Sequence, residues 1–160
     1  VSELIDVVLP PSGRSLYEAD EHEWIGRQIE ALKTGQFEQV DCENLVAYLT
    51  EMTVRDRREL KSRLRVLLQH LLKIRMQPEK ISRSWLRTIT EQQDEIQSII
   101  EDIPSLGKQT AVFLAEIYPK AVKRAAQETK ISADKFPGRS PWTVEQALAF
   151  EPPSMDDPKL

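Results

Sequence analysis

Apolar residues recur along this chain in steps of three and four, the spacing that aligns side chains on one face of a helix. Leu60, Leu64, Leu67, Leu68, Leu71 and Ile74 form one stripe. Ile81, Trp85, Ile89, Ile96, Ile99 and Ile103 form a second, and Leu106, Phe113, Ile117, Ala121 and Ala125 a third. No stretch alternates apolar and polar positions as a half-buried strand does, and no segment repeats. The pattern predicts an all-α fold, a single-domain helical bundle built on a long antiparallel helix hairpin of residues 54–75 against 78–102.

Capping residues and breakers set the expected boundaries. Ser15 with Glu18 three positions later reads as a capping box, opening a helix that runs to Thr34 and ends at Gly35. Asp41 opens a short helix bearing Leu45, Leu49 and Met52, and Thr53 with Asp56 opens the long one that Pro78 stops. Proline suits the first turn of the next helix, which ends at Pro104. A fifth helix starts at Ser105, and Pro119 inside it predicts a kink or a restart. "FPGRSP" is a turn, after which Thr143 and Gln146 cap a last short helix. Residues 15–150 are thus expected to form the helical domain, between an apolar N-terminal arm (1–14) and a frayed tail (151–160).

At 160 residues, with 40% hydrophobic and 30% charged residues, the chain can fold as one domain with an ordinary core. Its longest apolar runs are too short to span a bilayer, and its first residues lack the basic start and apolar stretch of a signal peptide. Cys42 is the one cysteine, so no intrachain disulfide or cysteine-based zinc site is available, and a cytoplasmic location fits. Charge is unevenly spread. Residues 1–54 carry 3 basic and 11 acidic groups (net −8), and residues 55–87 carry 11 basic and 3 acidic (net +8). Such blocks can attract a charged partner, or each other.

The chemistry-bearing candidates centre on His70. If the helices fold back at Pro78, residue 70 lies roughly opposite residue 85, and His70 meets Ser84, Trp85 or Thr88. The leading reading is a polar seam that fixes the register of the hairpin. The alternative is a ligand site of His70, Lys73, Gln77, Ser84, Trp85 and Thr88, with His70 as general base and Arg63 or Lys73 holding an anion. No nucleophile motif or glycine-rich phosphate loop accompanies it, so no catalytic residue is assigned. Arg55, Arg58, Lys61 and Arg65 line the helix side away from the leucines, as a nucleic-acid contact requires, although salt-bridging to the acidic helices is preferred. Glu18 and His22 are i, i+4 neighbours, but a solvated acidic face accounts for them better than a metal. No metal or cofactor is expected.

The strings "LLQHLLKIRMQPEKISRSWLRTITEQ", "YEADEHEWIGRQIEALKTGQFEQVDCENL" and "FPGRSPWTVEQAL" together resemble the bacterial family catalogued as domain of unknown function twenty-nine. His70, Leu71, Leu72, Lys73, Gln77, Pro78, Ser82, Ser84, Trp85, Thr88 and Ile89 match its pattern, while "NLVAYLTEM" is less acidic than that pattern. The resemblance implies an all-helical fold and a bacterial source. It implies no activity. Three function classes therefore stand: first a protein-interaction module, self-associating through the N-terminal arm and without catalysis. The second is a nucleic-acid-associated regulator using the 55–65 face. The third is an enzyme or small-ligand binder centred on His70.

Overall fold

The computed structural model describes residues 15–151 and Pro153. The arm 1–14 and all the tail beyond Glu151 except Pro153 lie outside the described residues. Among the described residues every regular element is helical, so the fold is all-α. The chain divides into two compact units, residues 1–54 and 55–160.

In the first unit, α1 (Leu16–Ala19) opens with the expected capping box between Ser15 and Glu18. Asp20 then interrupts the single helix expected over 15–34. Its side chain accepts from the Glu23 backbone N–H at 3.0 Å and caps a new helix, α2 (Glu21–Thr34). Gly35 ends α2 at φ 72°, a left-handed conformation suited to a residue without Cβ. The expected break at Thr53 is absent, because residues 42–76 form one helix, α3 (Cys42–Met76). No glycine or proline interrupts this run. The Thr53 hydroxyl donates back to the Thr50 carbonyl at 2.8 Å instead of capping a new start. Trp24 is buried between Tyr17 and Tyr48, with ring centroids at 4.7 and 5.7 Å. Its indole N–H donates to Asp41 Oδ2 at 3.2 Å, and Asp41 also accepts from the Asn44 backbone at 3.2 Å at the head of α3.

The second unit takes residues 55–76 of α3 together with α4 (Arg83–Asp102), α5 (Pro104–Gly107), α6 (Thr110–Thr129) and α7 (Val144–Leu148). Residues 78–80 form a single 3₁₀ turn, and Ser82 caps α4 by accepting from the Trp85 N–H. Two contacts fix the run of α4 against α3: Arg63 lies 3.3 Å from Glu95, and Lys73 sits 4.2 Å from the Trp85 ring centroid. Ten residues forward on α3 match ten backward on α4, so the helices are antiparallel. Helix α6 returns parallel to α3. Lys61–Glu116 and Lys73–Glu128 are both 2.6 Å ion pairs, twelve residues apart on each helix. Pro119 leaves α6 as one helix rather than restarting it.

Two neighbours explain why α3 is buried over a wide arc. Leu60, Leu64, Leu67, Leu68, Leu71 and Leu72 are each at most 1% exposed and meet Ile89 and Ile96 of α4 and Phe113, Ile117, Ala121 and Ala125 of α6 in one cluster. Each such leucine contributes on the order of 1.5–3 kcal/mol through burial. After α6 the chain passes over Phe136 to α7, whose Thr143–Gln146 capping box forms as expected. Gln93 of α4 donates to the carbonyls of Ala147 and Phe150 at 3.0 and 2.8 Å, which holds α7 on the bundle.

Candidate functional site

Gln69 and Lys73 of α3 and Gln77, one residue past its end, follow one another at intervals of four, and all three are buried. Buried polar side chains need partners, and α6 supplies them. Lys73 Nζ donates to Glu128 Oε2 at 2.6 Å, Gln69 Nε2 to Glu128 Oε1 at 2.6 Å, and Gln77 Nε2 to the Thr129 carbonyl at 3.2 Å. The Lys73 ammonium, 5% exposed as a residue, also lies over the face of Trp85. Among the described residues no buried side-chain nitrogen or oxygen is without a hydrogen-bond partner. A polar seam is present, and its centre is Lys73.

The hydrogen bond His70 makes lies within its own helix. Its Nδ1 lies 2.9 Å from the Val66 carbonyl oxygen of its own helix. A carbonyl only accepts, so Nδ1 carries the proton in this contact and Nε2 is left as the acceptor of the neutral ring. Burial holds the imidazole below its ordinary pKa; the Val66 hydrogen bond works against that, Lys73 reinforces the lowering and Glu128 opposes it. Ser84 is exposed, with its hydroxyl 3.0 Å from that of Ser82, and the Thr88 hydroxyl donates to the Ser84 carbonyl at 3.0 Å. Trp85 pairs with Lys73, three residues along from His70, because the two antiparallel contacts centre the turn on Glu79. Of the six residues grouped by sequence, Lys73 meets Trp85 and Thr88 bonds to Ser84, while His70 and Gln77 bond to Val66 and Thr129.

The basic residues are distributed among several contacts. Lys61 donates to Glu116 at 2.6 Å and lies 4.8 Å from the Phe113 ring centroid. The Lys61 hydrogen bond holds the Glu116 carboxyl below the usual carboxylate range. Arg65 reaches the Gln69 amide oxygen at 3.4 Å. Arg55 and Arg58 are exposed, and Arg58 takes part in an interaction of its own. Among the described residues no three His, Cys, Asp or Glu side chains gather to hold a metal ion. No helix there is long and apolar enough to cross a membrane.

A concave surface of the second unit lies elsewhere, over α6. A cleft of about 460 Å³ opens between α6, the loop from Gly138 to Thr143 and the start of α7. Leu114, Tyr118, Pro119, Trp142 and Val144 are among its apolar walls, with Arg139 and Glu145 also in its lining. A neighbouring hollow of about 390 Å³ shares Tyr118, Pro119 and Gly138 and continues toward Phe136. Such a volume and lining suit a ligand or peptide segment. Sequence reasoning passed over these residues by treating "FPGRSP" as a turn alone. A tryptophan and an arginine beside two prolines were the available signal.

Fold and site together define a helical protein with a satisfied polar seam and an apolar groove on its second unit. The chain belongs to the family described as "Domain of unknown function DUF29", which matches residues 16–151. No curated protein and no solved structure matches it.

Proposed function

We infer that the protein acts as a protein-interaction module without catalysis of its own, and that its partner is a second copy of the same chain. The observation that carries this reading is the apolar surface of the first unit. On α2, Ile29 and Leu32 are 46% and 45% exposed; beyond it Phe37 is 68% exposed; on α3, Val46 and Leu49 are 64% and 52% exposed. Val46 and Leu49 lie within about 60° of one another around the helix, as do Ile29 and Leu32. Amphipathic helices that keep large apolar side chains in water are characteristic of contact surfaces. Every copy presents the same face, so a two-fold pairing buries it on both.

The charge of this part of the chain gives the proposal a distinctive sign. Residues 1–54 carry a net −8, so pairing two such faces works against like-charge repulsion, which salt screens. Sedimentation velocity over a wide concentration range tests this. The expected result is a concentration-dependent dimer that tightens with salt and is weakened by Val46→Asp with Leu49→Asp. Monomer behaviour at every concentration overturns it. The N-terminal arm 1–14 belongs to the same proposal, and deleting it shows whether the arm or the helical face carries the contact.

A reader of nucleic acid would use Arg55, Arg58, Lys61 and Arg65, but Lys61 is already held by Glu116. An enzyme centred on His70 would need a second aligned group, and the ring's hydrogen bond stays within its own helix.

A further inference from the structure

The groove over α6 calls for an extended occupant that brings few backbone hydrogen-bond donors, with apolar side chains for its walls and charges for its rim. Its polar groups are largely engaged. The Tyr118 hydroxyl donates to the Pro137 carbonyl at 2.7 Å, and the Ser140 hydroxyl to the Trp142 carbonyl at 2.7 Å. What remains is aromatic and proline surface, with Arg139 and Glu145 in the same lining. Aromatic-walled grooves of this kind take proline-containing segments, because proline is pre-extended and brings no backbone N–H into the apolar wall.

We propose that the groove is the docking site for the chain's own segment of residues 154–160, "SMDDPKL", which follows the exposed Pro153. Pro158 supplies the proline of this segment. Met155 brings a flexible thioether suited to a wall of Tyr118 and Trp142. Asp156 and Asp157 complement Arg139, and Lys159 complements Glu145. The reach is sufficient. Glu145 lines the groove and sits six residues before Glu151, and nine further residues extend over roughly 30 Å. Docking within one chain gives the segment an effective concentration on the order of millimolar, so any external segment has to compete with it.

Methyl NMR of the full chain tests this, with the three methionines, Met52, Met76 and Met155, labelled. Met155→Leu assigns the relevant signal. The expected result is a Met155 methyl shifted by ring currents, with cross-relaxation to the Trp142 ring that does not depend on protein concentration. A Cβ built on Gly138 meets nothing within 4 Å, so the position has room to start a side chain, and Gly138→Phe adds a ring at the groove. That variant is expected to return Met155 to its free-chain position while Met52 and Met76, reporting the fold, stay in place. A free-chain Met155 signal in the unaltered protein overturns the proposal, as does a docked signal that Gly138→Phe leaves unmoved. Contact that appears only as concentration rises assigns the groove to a second copy's segment and also overturns it. A small molecule carried through purification and lost in Gly138→Phe, seen by native mass spectrometry, does the same.

Discussion

Lys73 and Trp85 meet across the turn between α3 and α4, the ammonium nitrogen 4.2 Å from the ring centroid, while the same nitrogen holds Glu128 of α6 at 2.6 Å. One buried cation thus sets the level of α4 and of α6 against α3 at once. The antiparallel and parallel registers of the bundle cross at this side chain.

Replacing it should therefore loosen the bundle without dissolving it. Lys73→Met keeps the apolar stem but removes the cation–π contact and the ion pair. The first is worth about 0.5–2 kcal/mol. The second adds little more, because the Glu128 side chain is about half exposed and can return to water. A loss of about 1–2 kcal/mol is expected in urea unfolding, with helix content retained. An unchanged midpoint would show that the cation contributes nothing to register or stability.

His70 gives a pH signature. Its folded pKa is lowered by burial, so the unfolded chain binds the proton more readily than the native one. Its contribution to stability is complete above the unfolded value of about 6.5, falls as pH drops through it, and levels off below the folded value. His70→Leu should remove that part of the slope. If the pH dependence of unfolding between neutral and mildly acidic conditions is identical in the two proteins, His70 is not the group responsible.

Asp41 carries the first unit in a comparable way. It accepts from Trp24 Nε1 and from both the backbone and the side chain of Asn44, and its own N–H donates to Gln28 Oε1 at 2.7 Å. The Asn44 side-chain hydrogen bond holds its carboxyl below the ordinary value, so its stabilising contribution is lost as pH falls through the folded pKa. Asp41→Ala removes a helix cap worth about 1 kcal/mol and leaves the indole N–H without its partner, at a cost of about 1 kcal/mol more. Urea unfolding followed by tryptophan emission should show a loss near that sum. A red-shifted Trp24 without any loss of stability would contradict the assignment.

The stripes of leucine and isoleucine made the three long helices of the second unit legible, because burial on a repeating face leaves a period in the sequence. The caps at Ser15 and Thr143 were legible for the same local reason: the hydrogen bonds they make lie within three residues. The boundary at Thr53 misled, since a threonine followed by Asp56 resembles a cap even where its hydroxyl bonds backward inside a helix. The partner of Trp85, Lys73 rather than His70, was a matter of three residues in register, across a turn whose 3₁₀ segment at 78–80 delays α4 to Arg83. Glu128 lies 55 residues from Lys73, and no local pattern announces a contact at that separation.

The basic face should prove indifferent to nucleic acid. Lys61 and Arg63 already hold carboxylates of α6 and α4. Fluorescence anisotropy with labelled DNA and RNA is expected to show no saturable binding, even at low ionic strength. A complex that weakens steeply with salt, and loses a unit of that slope in Arg55→Ala, would revive a phosphate-binding role.

The exposed apolar side chains of the first unit are the surface proposed to meet a second copy. Cys42 is the one cysteine, is exposed, and stands four residues before Val46 on α3. A nitroxide attached there reports the distance between paired copies directly by dipolar spectroscopy. A narrow inter-copy distance distribution is predicted, lost when Val46→Asp and Leu49→Asp are introduced together. A featureless monomer background, or a distance that survives those two substitutions, would contradict it.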